Sequence, residues 1–68
     1  MLKAEIEKMI INDPEKLNKQ ARREGQYLHD ETIDNEKGCI RESVFDFKNR
    51  IIEIKMHNGN VTSIEIID

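Results

Sequence analysis

The residue types in this sequence that could do chemistry are one cysteine and two histidines. Cys39 with His29 or His57 would supply a thiol nucleophile and its base. No family-specific signature surrounds the cysteine, and free cysteine is commonly a small, buried and inert residue. By strand parity Cys39 shares a side with Phe45 and Phe47. We therefore expect Cys39 to face the core and to have no catalytic role.

Potential metal ligands are concentrated in one segment, and they are His29, Asp30, Asp34, Glu36 and Cys39. Their spacing matches no zinc pattern, since the chain has neither a Cys-x-x-Cys pair nor a His-Glu-x-x-His motif. In a calcium loop beginning at Asp30, the sixth residue would be Asn35 where glycine is required, and the twelfth would be Arg41 where glutamate is required. We predict no metal, no other cofactor, no small-molecule substrate and no enzymatic activity.

One side of the second predicted helix is basic and could contact phosphates. Residues 14–25 contain four basic and two acidic residues, a segment charge of +2. The basic residues are Lys16, Lys19, Arg22 and Arg23. The whole chain is acidic, with net charge -3, and has one tyrosine for base stacking. A nucleic-acid-binding regulator is therefore the alternative interpretation, and an ordinary solvated helix face is the simpler one.

Apolar residues at helical spacing predict two short helices within residues 2–29. The first helix has one apolar face, formed by Leu2, Ile6, Met9 and Ile10. It should end before Pro14, which suits the first position of a second helix with Asp13 as its N-cap. The second helix also has an apolar face, formed by Leu17, Ala21 and Leu28. Gly25 could end this helix early.

Residues 30–38 are predicted to be an acidic loop. They contain one aliphatic residue and four acids, which is typical of a solvated or mobile segment. An acidic protein can present carboxylates in place of phosphates to a basic groove. The net charge of -3 is low for such a mimic.

From residue 39 onward the apolar period changes to two, which predicts three strands over residues 39–68. One face of this β-meander is apolar, and it carries Phe45, Phe47, Ile52, Ile54, Met56, Ile64 and Ile66. A two-residue turn at Lys48-Asn49 places Phe45 opposite Ile52. The helices are the obvious cover for the apolar face.

The second hairpin contains Asn58-Gly59, a strong turn signal. A two-residue turn there would place Ile54 opposite Ser63. A three-residue loop over residues 58–60, with a bulge, instead pairs Ile54 with Ile64 and leaves Glu53 facing Glu65. One buried face specifies register strongly, so we predict the three-residue loop.

Residues 1–68 are therefore predicted to form one α+β domain, with one or two N-terminal helices packed on a three-stranded antiparallel meander. A 68-residue chain with one cysteine has a small core and no internal disulfide. The last strand should be a sheet edge that pairs with another chain, through Val61, Ser63, Glu65 and Ile67. This edge predicts a non-enzymatic protein-interaction module, a regulator or inhibitor that binds another protein or forms a homodimer.

The expected location is the cytoplasm, away from membranes. No apolar run approaches the roughly 20 residues that a spanning helix needs. Acidic Glu5 and Glu7 interrupt the first apolar stretch, which is therefore no signal peptide. A single cysteine is typical of reducing compartments.

Overall fold

The computed structural model describes residues 2–68 and consists of two helices followed by four antiparallel strands. The helices are α1 (Lys3–Asn12) and α2 (Pro14–Glu24). The strands are β1 (Gln26–Asn35), β2 (Gly38–Phe47), β3 (Arg50–His57) and β4 (Asn60–Ile66). They form one sheet in the order β1-β2-β3-β4. The α+β class is confirmed, but the sheet has four strands where three were predicted.

The two helices form where the apolar spacing indicates, with Pro14 in the first turn of α2. The Asp13 side chain makes no capping hydrogen bond, contrary to expectation. The predicted helical segment ends early, because Gly25 is extended with φ -80° and ψ 167°. A Cβ at Gly25 would lie 2.6 Å from the Ala21 carbonyl oxygen, so only glycine fits this close approach. Within residues 2–68, neither helix combines the length and the apolar character needed to cross a bilayer.

The helices cover one face of the sheet and build the core there. Ile6 of α1 and Leu17 and Ala21 of α2 are fully buried. They pack against the apolar side of the sheet, which consists of Phe45, Phe47, Ile52, Ile54 and Ile64, with Met56 and Ile66 partly buried beside it. The predicted apolar face of the meander is therefore confirmed.

The register predicted between β2 and β3 is confirmed. Phe45 lies opposite Ile52 across a two-residue turn. Both turn residues, Lys48 and Asn49, have positive φ, at 52° and 66°. This left-handed backbone matches the twist of the two strands that the turn connects.

The register predicted between β3 and β4 is also confirmed, since Ile54 lies opposite Ile64 and Glu53 opposite Glu65. The connection differs from the prediction, because His57 pairs with Asn60 across a two-residue turn at Asn58-Gly59. The extra residue is displaced into β4, where the pairing shifts between Lys55–Ser63 and Met56–Val61. Thr62 is therefore a β-bulge, which restores the aliphatic pairs that the tight turn alone would misalign.

The predicted acidic loop at residues 30–38 is wrong, because most of it belongs to β1. Every residue of β1 is exposed, so no buried face marks the strand by alternation. Pairing with β2 is continuous from His29 to Asn35 and holds the backbone extended. Gly38, with φ 120°, closes the turn and is the hairpin signal that could have identified this strand. Leu28, predicted on a helix face, lies at a bulge in β1.

Candidate functional site

The two edges of the sheet are β1 and β4. Each edge strand presents one row of backbone N–H and C=O groups for which the sheet itself has no partner. Such a row can bind an extended polypeptide by main-chain hydrogen bonds, with side-chain contacts that give specificity. The two edges differ in how accessible this row is.

The direction of the ladder hydrogen bonds shows which β1 groups face outward. Ile67 N–H donates to the Ile51 carbonyl oxygen at 2.9 Å, so odd-numbered residues of β3 bond to β4. Because the direction alternates along antiparallel strands, even-numbered residues of β3 bond to β2. The same alternation continues through the pairs of β2 with β3 and of β1 with β2. It directs the backbone N–H and C=O groups of His29, Glu31 and Ile33 toward β2. The backbone N–H and C=O groups of the alternate residues, Asp30, Thr32 and Asp34, therefore point away from the sheet.

The edge of β4 is partly closed by the rest of the chain. Val61 N–H donates to Oε1 of Glu15 on α2 at 3.2 Å. The bulge at Thr62 turns Val61 onto the helix-covered face, where it packs against the core. The other predicted contacts lie on the opposite face, and these are Ser63, Glu65 and Ile67. The four residues predicted to bind a partner therefore do not share one face.

The edge of β1 is open along most of its length. From His29 to Asn35 its pairing with β2 contains no bulge, and the strand contains neither proline nor lysine to guard the edge. Three of its large apolar side chains are exposed to solvent, and they are Tyr27, Leu28 and Ile33. β1 is consequently the most accessible strand in the part of the chain that the structure describes.

An ion pair holds β1 in place from the helix-covered face. Arg41 of β2 contacts Asp30 through two hydrogen bonds, Nε to Oδ1 at 2.9 Å and Nη2 to Oδ2 at 2.8 Å. Ser43 Oγ donates to Asp30 Oδ1 at 2.8 Å. The bonds from Arg41, followed by the bond from Ser43, lower the pKa of Asp30 from its ordinary value of 3.8 to about 2. Asp30 therefore fastens the middle of the exposed strand to its neighbour.

The Asp30 carboxylate should make stability depend on pH at acidic values. Because its folded-state pKa is depressed, its contribution is complete above about pH 4 and is lost as pH falls toward about 2. Solvent screens this exposed group, so we expect Asp30→Asn to cost about 1 kcal/mol at neutral pH. Urea melts at several pH values should show the wild type and the variant converging near pH 2. A difference that is independent of pH would contradict this role.

Arg22, predicted to contact phosphates, is turned inward onto the sheet. Its Nε donates to Asn18 Oδ1 at 2.8 Å, and its Nη1 lies 3.1 Å from Tyr27 Oη and 3.2 Å from Ser43 Oγ. The guanidinium stacks over the Phe45 ring, 5.2 Å from its centroid. Arg22 thus connects α2 to β1 and β2, and its donors are occupied within the chain.

The other three predicted phosphate contacts, Lys16, Lys19 and Arg23, remain together on the outer side of α2. They line an open groove of about 490 Å³, which Asp13 and Glu15 also line. The two carboxylates reduce the positive potential that a phosphate would meet there. The structure therefore brings together three of the four basic residues in a groove that two acids also line.

The sheet face opposite the helices is acidic. Glu31 pairs with Glu42, and Glu53 pairs with Glu65, so two cross-strand pairs join like charges. Each such pair costs on the order of 0.2–1 kcal/mol. Lys55 lies 3.9 Å from Glu53 and partly compensates that pair. This face and the basic outer side of α2 give the molecule two sides of opposite charge.

Cys39 is half-buried at the start of β2, and its N–H donates to Asn58 Oδ1 at 2.9 Å. His57 Nε2 lies 2.8 Å from the Lys37 carbonyl oxygen. Over residues 2–68 no three His, Cys, Asp or Glu side chains are grouped so as to hold a metal ion. Comparison with protein-family models, with curated proteins and with solved structures found no match.

Proposed function

We propose that this chain is a small non-enzymatic protein-interaction module that binds another polypeptide along a sheet edge. The observation that carries the proposal is β1, a ten-residue edge strand that is exposed at every position. An added strand would satisfy the outward groups of Asp30, Thr32 and Asp34. It would also cover part of the apolar surface of Leu28 and Ile33, which the chain itself leaves exposed.

The role that suits such a module is that of a regulator or inhibitor. A 68-residue chain has room for one small core, and the open β1 edge is the surface that the proposal uses. Its effect would then come from occupying or blocking a segment of the partner. The proposed compartment is the cytoplasm, because a single cysteine is typical of reducing conditions.

Self-association through β4 is the second form of this proposal. The outward N–H of Val61 is already bonded to Glu15, and the bulge at Thr62 interrupts the straight edge. A homodimer at β4 would have to form beyond these two features, along Ile64 and Ile66. The β1 edge has no comparable obstruction between His29 and Asn35, so binding at β1 is preferred.

Nucleic-acid binding is the weaker alternative. Arg22 is engaged with the sheet, and Glu15 and Asp13 share the groove with the remaining cations. Phosphate contacts release counterions, so such binding would fall steeply with salt concentration. Strand addition depends mainly on backbone hydrogen bonds and should depend far less on salt.

The substitution Thr32→Pro should abolish partner binding and leave the domain folded. The Thr32 N–H faces outward, so proline removes a bond to the partner without removing one to β2. The matched control is Thr32→Val, which changes the side chain, keeps the N–H and suits a strand. The measurement is affinity capture from nuclease-treated lysate with quantitative mass spectrometry, accompanied by thermal melts. Equal capture by the wild type and a folded Thr32→Pro variant would refute binding at this edge.

A further inference from the structure

We propose that the β1 edge selects an extended basic segment, which adds antiparallel to His29–Asn35 with cations opposite Glu31 and Asp34 and an aliphatic side chain opposite Ile33. This inference rests on the proposed function, since it presumes strand addition at β1. It specifies the chemistry of the partner and the register in which the partner binds.

The charges along the open edge support a basic partner. Residues 29–35 contain three acids, of which Asp30 is paired with Arg41. Glu31 faces another acid, Glu42, across the strand pair, and its ion pair with His29 at 3.6 Å requires a protonated imidazole. In the described part of the chain, no lysine or arginine forms an ion pair with Asp34. Two carboxylates on this edge therefore have no permanent positive partner.

The same acids argue against a second copy of this chain as the occupant. Pairing two β1 strands would place the acids of one copy along those of the other, and like charges opposite each other are destabilising. Charges on an edge strand are a common device against self-pairing. A basic strand has the opposite effect, because its cross-strand pairs with Glu31 and Asp34 would join opposite charges.

Strand geometry fixes the order of the partner's residues. In an antiparallel addition, consecutive partner residues would lie opposite Asp34, Ile33, Thr32 and Glu31. The first and fourth should be lysine or arginine, because they meet carboxylates. The second should be aliphatic, because Ile33 is 43% exposed and already pairs with the aliphatic Ile40 of β2. The preferred segment therefore has a basic residue, an aliphatic residue, any residue and a second basic residue, in that order.

A phage-displayed library of random peptides, selected on the immobilised full chain, tests this specificity. We expect enrichment of peptides with two basic residues three positions apart and an aliphatic residue directly after the first. Enriched peptides should bind the double variant Glu31→Lys/Asp34→Lys on the order of tenfold more weakly, because two attractive cross-strand pairs become repulsive. Glu31 and Asp34 are both exposed, so the variant should remain folded.

The other outcomes separate the two proposals. Enriched peptides that lose binding to Thr32→Pro but carry no excess of basic residues would overturn the basic specificity and leave strand addition in place. Peptides that bind Thr32→Pro and Thr32→Val equally would place the binding elsewhere and overturn both. Failure to enrich any peptide would likewise overturn the claim that this edge accepts a basic strand. Selection repeated on the double variant should favour acidic peptides instead.

Discussion

Ile54→Ala is expected to lower the free energy of unfolding by about 2–5 kcal/mol. Ile54 is fully buried in the middle of β3 and lies opposite Ser43 on one side and Ile64 on the other. The helices close over it, so the side chains around the deleted atoms cannot collapse freely. The free-energy cost of the lost apolar burial and the cost of the cavity therefore add. In a domain this small, such a loss approaches the whole stability.

The control for this experiment is the next residue, Lys55→Ala. Lys55 points to the uncovered face, where its ion pair with Glu53 is partly exposed and worth little. Urea melts of both variants, analysed with a common m-value, give the comparison directly. Equal destabilisation by the two substitutions would contradict the assignment of the buried face.

Arg22→Ala is expected to lower the free energy of unfolding by about 1.5–3 kcal/mol, although Arg22 lies on a helix whose other basic residues are exposed. Its guanidinium bonds Asn18 and Ser43, both buried, and covers the ring of Phe45. Removing it leaves these polar side chains short of a charged donor. We also expect the local stability of β1 to fall, because Arg22 contacts Tyr27 of that strand.

Arg23→Ala is the matched control for Arg22→Ala, since it removes the same charge from the next position of α2. Arg23 is 74% exposed, and its ion pair with Glu24 spans 3.8 Å. We expect a change within about 0.5 kcal/mol. Hydrogen exchange of the β1 amides should accelerate in Arg22→Ala and not in Arg23→Ala. Equal protection in the two variants would show that Arg22 does not anchor the strand.

The sequence predicts the parts of this fold that bury a periodic apolar face. Ile52, Ile54 and Ile64 alternate along strands with one side covered, and their register follows because a one-residue slip would expose them. β1 lacks such a face, so periodicity predicted a loop there. The strand is held by backbone pairing and by contacts such as Asp30 with Arg41, whose partners are distant in sequence.

The candidate site was predicted less well than the core, for related reasons. The bulge at Thr62 reverses the side on which Val61 lies, and nothing in the local sequence separates a bulge from a longer loop. Arg22 resembles Arg23 in type and neighbours, and only the packing of α2 on the sheet explains why Arg22 bonds Ser43 and Tyr27 while Arg23 is solvated. The missing information was thus the location of β1 and the position of the bulge in β4.

The closure of β4 by Glu15 and the bulge has a consequence for stoichiometry. A sheet that is open at both edges can add a strand at each, so that a partner with two such edges would propagate without limit into fibres. Here the β4 edge is obstructed near Val61 by the bond to Glu15 and by the bulge at Thr62. Strand addition confined to β1, as proposed, would stop after one addition and give a closed one-to-one complex.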